Sequence, residues 1–313
     1  MKKTKIPAFV TIFLMSLLFF SCQYQDGPKS EYKYQAVSAL GDTLYAPDIE
    51  PETRSRFELN WQKAKAEYEA SPDDADAIIW YGRRTAYLGH YRMAIDIFTE
   101  GIQKHPDDPR MYRHRGHRYI TVRALTKAVE DLEEAARLIE DTEDIIEPDG
   151  LPNARNMPRS TLHTNIWYHL GLAHYLLGNF DDAVEAYREC MAASTNDDMM
   201  VATSYWLYMS LKRAGLDGLA GEVLEPIEVN MDLIENESYH KLLLVFKGVF
   251  DERTLLEEQE NELNIATVGY GLGNWHYVNG REDHARQLYR RVYEDGSWPA
   301  FGYIAAETDL ARL

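Results

Sequence analysis

Cysteine is nearly missing from this chain. Two occur in 313 residues, Cys22 and Cys190, so no disulfide framework can hold the fold together. Positive charge is also scarce. Lys and Arg number 33 against 51 Asp and Glu, a formal net charge of -18. Such a surface repels nucleic acid, and no basic stripe long enough to overcome it occurs, so nucleic acid is not an expected partner. Long apolar runs are absent as well. The stretch from Ile6 to Phe20 has 15 residues broken by small polar ones, short of the roughly 20 that a membrane-spanning helix takes. No catalytic constellation appears. Cys190 has Glu189 rather than a base beside it, which suits a core position better than a nucleophile. Gly269, Gly271 and Gly273 lack the spacing of a phosphate loop and follow no strand, so helix packing is their expected role. Among ten histidines, His114 and His117 share a helical face, but no third ligand sits at metal-binding spacing, and His169 and His174 lie five apart, off one face. No metal or other cofactor is therefore expected.

What the chain does have begins with Lys2, Lys3 and Lys5, then the apolar run, then Ser21-Cys22. That is the three-part layout of a secretory signal over residues 1–21. Phe19-Phe20-Ser21-Cys22 resembles the lipobox of bacterial lipoproteins, with Phe20 departing from the usual small or branched residue. The resemblance implies cleavage before Cys22, a diacylglycerol on its sulfur and an acylated amino group. Two or more acyl chains hold a protein stably on a membrane. The expected location is therefore the bacterial cell envelope, lipid-anchored at the outer membrane, on its periplasmic face or the cell surface. Loss of the three lysines would take the net charge from -18 to -21. Residues 22–51 mix Gly, Pro, Ser and charge and read as a tether, although Ala36–Leu44 is apolar enough to lie on the body.

The body repeats. From Thr164 runs Trp167-x2-Leu170-Gly171-x2-His174, then Ala183-x3-Tyr187, with Gly178 between. Similar patterns start at Ala75 (Gly82, Ala94, Phe98, Pro106) and, 34 residues on, at Pro109 (Gly116, Ala128, Leu132); another starts near Ala266 (Gly273, Ala285, Tyr289). Weaker copies begin near Val201 and Ile234. The small residues let paired helices approach closely, and the large residue four after each alanine is expected to fill the space between units. This pattern resembles the tetratricopeptide repeat. The resemblance implies an all-α, right-handed superhelical solenoid of about six helix-turn-helix units, 75–108, 109–142, 164–197, 201–233, 234–265 and 266–299. An inserted loop, 143–163, carries Pro148, Asp149-Gly150, Pro152 and Pro158. Caps are expected at 52–70 (Phe57, Leu59, Trp61, Ala64 and Tyr68) and 300–313, the latter with Phe301, Ile304, Ala305 and Leu310 inward and Glu307, Asp309 and Arg312 in water. Leu162–Gly171 and Trp298–Glu307 resemble a group of bacterial tetratricopeptide lipoproteins, a likeness that implies no activity.

In that family the first helix of each unit lines a concave wall. Here the corresponding places hold Arg83, Ala86 and Tyr87; Arg110, Arg113, His117 and Thr121; Asn165, Tyr168 and Tyr175; Tyr205, Lys212 and Arg213; and Tyr270, Asn274 and Tyr277. A cationic, tyrosine-rich stripe on an acidic protein suits an acidic or C-terminal peptide segment, with Arg83, Arg113 and His117 at the anion-binding end. The expectation is a non-enzymatic, membrane-anchored interaction scaffold with a protein or peptide partner. The alternative is a glycan- or small-ligand-binding accessory of an uptake system, since exposed tyrosine and tryptophan suit sugar rings. An enzyme would need the inserted loop, with His163 or Asp149.

Overall fold

The computed structural model describes residue 28, residues 31–257 and residues 261–313. Residues 1–21 and Cys22 lie outside the described residues. Among the described residues a short hairpin, β1 (Ala36–Val37) paired antiparallel with β2 (Thr43–Leu44), precedes fourteen helices. After α1 (Pro51–Ala70) come six antiparallel pairs: α2 (Ala75–Tyr87) with α3 (Tyr91–Lys104), α4 (Pro109–Thr121) with α5 (Leu125–Leu138), and α6 (Leu162–Leu177) with α7 (Phe180–Ala193). Then follow α8 (Asp197–Arg213) with α9 (Asp217–Leu224), α10 (Glu237–Phe246) with α11 (Glu252–Glu257), and α12 (Glu262–Val278) with α13 (Glu282–Asp295); α14 (Phe301–Arg312) closes the chain. Each pair packs within itself and on the next, giving an all-α solenoid.

Local chemistry sets the helix starts. Five first helices begin after a residue whose side chain accepts a bond from the opening turn: Asp74, Asp108, Thr161, Asn196 and Asn261. Such caps satisfy amides that have no partner inside the helix. The turn inside every pair then has one residue in the left-handed region: Gly89, Arg123, Gly178, Gly215, Gly248 and Gly280. Five are glycine, which adopts that conformation without a Cβ penalty. Arg123, at φ 66°, is the exception.

Packing inside the strong units repeats one contact. A Cβ added to Gly82 would lie 2.5 Å from the Phe98 ring; at Gly116 it would meet Leu132 at 2.7 Å, at Gly171 Tyr187 at 2.8 Å, and at Gly273 Tyr289 at 2.6 Å. Ala94, Ala128, Ala183 and Ala285 are fully buried. The large residue therefore seats on the glycine of its own unit, rather than only filling space between units as the sequence suggested. Gly171→Ala is expected to lower stability by about 1–3 kcal/mol through overpacking against the rigid Tyr187 ring, despite the roughly 1 kcal/mol that alanine gains in helix propensity. Urea denaturation checks this, and an unchanged or higher midpoint would refute it.

Two cap details differ from the sequence reading. In α1 the buried stripe is Phe57, Trp61, Ala64 and Tyr68, with Trp61 Nε1 donating to Thr85 Oγ1 at 3.0 Å; Leu59 falls off that stripe and is 52% exposed. In α14, Glu307 and Asp309, expected in water, are buried. The reason is that α14 does not merely close the last pair: it also reaches α6 and places its carboxylates against arginines of earlier units. Trp298 packs against both the first units and the main core, its ring edge-on to Tyr91 at 5.5 Å. The hairpin lies against the same end, with Ser38 Oγ 3.0 Å from the Tyr293 hydroxyl and the Ala39 amide donating to Glu307 Oε1 at 2.8 Å.

Candidate functional site

The inner wall divides in two. In the later units it is occupied by the chain itself. Arg213 donates to both oxygens of Asp309, at 2.9 and 3.0 Å, and to Asn274 Oδ1 at 2.9 Å. The Tyr270 hydroxyl donates to Asp309 at 3.1 Å and sits 2.6 Å from that of Tyr175. Tyr175, Tyr205, Tyr270 and Asn274 are buried. Arg213 also covers the half-buried Tyr277 ring at 4.6 Å, and Lys212 pairs with Asp217. Tyr205 stacks on Tyr239 at 4.5 Å. So α14 supplies the acidic group that this half of the wall attracts.

In the early units the wall stays open. Arg83, Tyr87, Arg113 and His117 converge on one cavity of about 120 Å³, with Ala86, Phe98, His114, Arg118 and Glu147. The first helices α2 and α4 carry the cationic groups, and the inserted loop carries Glu147. That loop is held rather than free: Ile146 bridges Thr161, and the carbonyls of Pro148 and Gly150 accept from Arg83 (2.9 Å) and Arg84 (2.7 Å). It also crosses to later units, through Arg155 to Asp232 and Arg159 to Asp198, both at 2.9 Å.

The charge in this cavity does not balance. Arg113 Nε lies 3.1 Å from Glu147 Oε2, which accounts for one guanidinium. Arg118 has the face of the Tyr91 ring at 5.5 Å and, among the described residues, no carboxylate. Burial pushes the Arg118 pKa down to about 10. Burial, helped by Arg118 and Arg113, holds His114 and His117 well below the usual imidazole range, as it does His169. All three are thus neutral at pH 7. His117 packs on His169 (4.3 Å between ring centroids) and on Phe301 of α14 (5.4 Å), so the end of α14 forms one side of the region. A second cavity of about 200 Å³ shares Arg83, His114 and Glu147 and is otherwise lined mainly by Ile79, Trp80, Ile145, Ile146, Pro148 and Leu162. Arg83 lies over Trp80 at 4.4 Å.

Other residues singled out by sequence are engaged within the chain. Arg110 lines the second cavity and is held there by Asp76 and Asp108, both at 2.6 Å. Tyr168 is buried against Phe301 and Tyr187. His163 bonds Thr142 at 3.1 Å, and Asp149 lies near Arg83. Cys190 is fully buried, 3.2 Å from Thr203 Oγ1, and burial pushes its thiol up to about 12, which leaves no thiolate at neutral pH. Gly269, Gly271 and Gly273 face Val292, Leu242 and Tyr289. Sequence reasoning missed Arg118: it falls off the family's groove positions, although an arginine on a helix otherwise rich in arginine and histidine was a signal.

Residues 164–197 match the tetratricopeptide repeat family model. No curated protein matches the chain. Among solved structures, a tetratricopeptide repeat protein from Parabacteroides merdae is similar over 83% of this chain and 94% of its own, at 14% identity and TM-score 0.49. YrrB, described as a tetratricopeptide protein with an unusual peptide-binding site, is similar over 75% of this chain and 92% of its own, at 12% identity and TM-score 0.43. One MamA structure covers 55% and 87%, at 18% identity and TM-score 0.42.

Proposed function

We propose that this array of tetratricopeptide-type helix pairs is a binding module without catalytic activity, and that its early-unit cavity holds an acidic side chain or C-terminal carboxylate of a protein partner. The observation that carries this reading is Arg118, a half-buried guanidinium that lines a cavity with Arg83 and Arg113 and, among the described residues, pairs with no carboxylate, whereas Glu147 lies against Arg113 and Asp149 near Arg83. A buried charge without a counterion is costly, and a carboxylate is the planar group that a guanidinium fork fits best. Three arginines against Glu147 and Asp149 leave room for one negative charge. The neighbouring apolar cavity, reached past Arg83, suits a bulky side chain next to the acidic group. Anchoring through Cys22 at the outer membrane belongs to the same proposal: it would hold the module at an envelope surface where partners are proteins, and the lipobox likeness supports it.

The test is a labelled peptide ending in an apolar residue and a free carboxylate, against its amidated twin. A hydrogen bond to a charged group contributes about 1.5–3 kcal/mol, so Arg118→Gln is expected to weaken binding roughly 10- to 150-fold. Amidation should cost a similar factor, and affinity should fall as salt rises. Binding that ignores salt, amidation and Arg118→Gln would refute the reading. Salt-independent binding of oligosaccharides instead would favour a glycan ligand.

A further inference from the structure

A second cluster lies in the last two helix pairs and shares no residue with the arginine cavity. The turn between α12 and α13 spans only Asn279–Arg281, so His276 in the last turn of one helix and His284 in the first turn of the next are forced together. Their rings lie 4.0 Å apart between centroids, inclined at 31°. Glu252, which opens α11, reaches the same place, its Oε1 2.5 Å from His276 Nε2. One ligand atom from each of Glu252, His276 and His284 lies within 4.8 Å of the others.

We propose that Glu252, His276 and His284 form a zinc site with three protein ligands and an open fourth position. Two imidazoles and one carboxylate are a zinc donor set, and three protein ligands with a fourth position left to water is an established coordination pattern. The bond lengths for nitrogen and oxygen donors, roughly 2.0–2.2 Å, require these atoms to sit about 3.3 Å apart around a tetrahedral ion. His276 would move off Glu252, and the exposed His284 side chain would swing inward. Neither movement breaks the backbone. A simple His–Glu hydrogen bond explains Glu252 and His276 but not why a second imidazole is laid on the first. Nor does it supply a partner for His276 Nδ1, which is buried and unbonded, so that the ring has no second tie to fix it. The ion would fasten α11, a helix of six residues with Leu255 as its buried anchor, to the α12–α13 hairpin. The neighbouring cation, Arg281, is drawn over the Trp275 face at 4.4 Å.

The experiment titrates zinc chloride into the chelator-treated full chain by calorimetry, and cobalt chloride by visible absorption. One equivalent of zinc should bind, cobalt should give the intense visible bands of a four-coordinate ion, and zinc should raise the melting temperature. His284→Ala should weaken binding at least about tenfold, the loss seen when even a group supporting a metal ligand is removed, and Glu252→Gln should do likewise. His105→Ala, on an exposed histidine bonded to the Asp73 carbonyl, should change nothing. His284 is exposed, so its variant folds irrespective of the outcome. Absence of stoichiometric binding, or binding retained in His284→Ala, overturns the site.

Discussion

Arg123→Ala is expected to cost about 3–5 kcal/mol, the usual penalty for removing one partner of a buried ion pair. At roughly 2–4 °C per kcal/mol for a chain of this size, the melting temperature should fall by on the order of 10 °C. The physical case starts from the backbone. Arg123 holds the left-handed turn position that is glycine in the other five pairs, a conformation costing a non-glycine residue on the order of 1 kcal/mol. Its side chain offsets that strain. It donates to both oxygens of Glu307, at 2.7 and 3.1 Å, and to the Trp298 carbonyl at 3.0 Å, and Glu307 is wholly buried. Arg123→Gly separates the two effects. It removes the same ion pair while relieving the turn, so it should be about 1 kcal/mol more stable than Arg123→Ala and still well below the parent. Adding Glu307→Gln to Arg123→Ala should recover part of the loss, since the stranded charge goes with it. Denaturant midpoints followed by tryptophan fluorescence measure all four chains. An Arg123→Gly protein as stable as the parent would show that strain, not the ion pair, dominates.

That contact also marks where sequence reading stops. Helix pairs and their inward alanines could be read from the repeat because each is local, set by periodicity and by volume within one unit; the seat of the large residue on its own unit's glycine could not, because the pattern fixes the spacing but not which gap the side chain fills. The course of α14 could not. Glu307 and Asp309 lie on the face of α14 that an isolated amphipathic helix would leave in water, and their burial is made tolerable by Arg123 and Arg213, 184 and 96 residues away, with the Ala39 amide and the Tyr270 hydroxyl. The groove positions suffered from the same blindness. The sequence shows a cationic, tyrosine-rich stripe, and the structure separates it into Arg213, already neutralised by Asp309, and the Arg83–Arg113–Arg118 cavity. Repeat spacing says which residues face inward; it says nothing about what the chain's own ends do there. Glu252, His276 and His284 escaped for a related reason. Ligand spacing is informative along one helix, whereas these three converge through a turn and a neighbouring pair.

Lowering the pH from 7.5 to 5.5 should destabilise the protein far more steeply than its carboxylates alone would. His114, His117 and His169 all have pKa values held well below 6.5 by burial, helped by Arg113 and Arg118. Depressed folded-state values mean that the unfolded chain binds the extra protons. The stability contribution is therefore complete above about pH 6.5 and lost as pH falls below it. Each histidine adds a slope approaching about 1.4 kcal/mol per pH unit, so three acting together give roughly 4. Asp131, whose carboxyl pKa is raised by burial, acts in the opposite sense, taking up its proton more readily in the folded chain than in the unfolded one. Urea midpoints at half-unit steps would show the decline, and His117→Gln should make it shallower. A flat profile down to pH 5.5 would mean that protonated histidines are tolerated in place. An anion bound beside Arg118 should blunt the decline, because negative charge next to His114 and His117 raises their pKa values toward the unfolded one. Acid sensitivity with and without the carboxylate peptide thus reports occupancy of the cavity by a route independent of affinity.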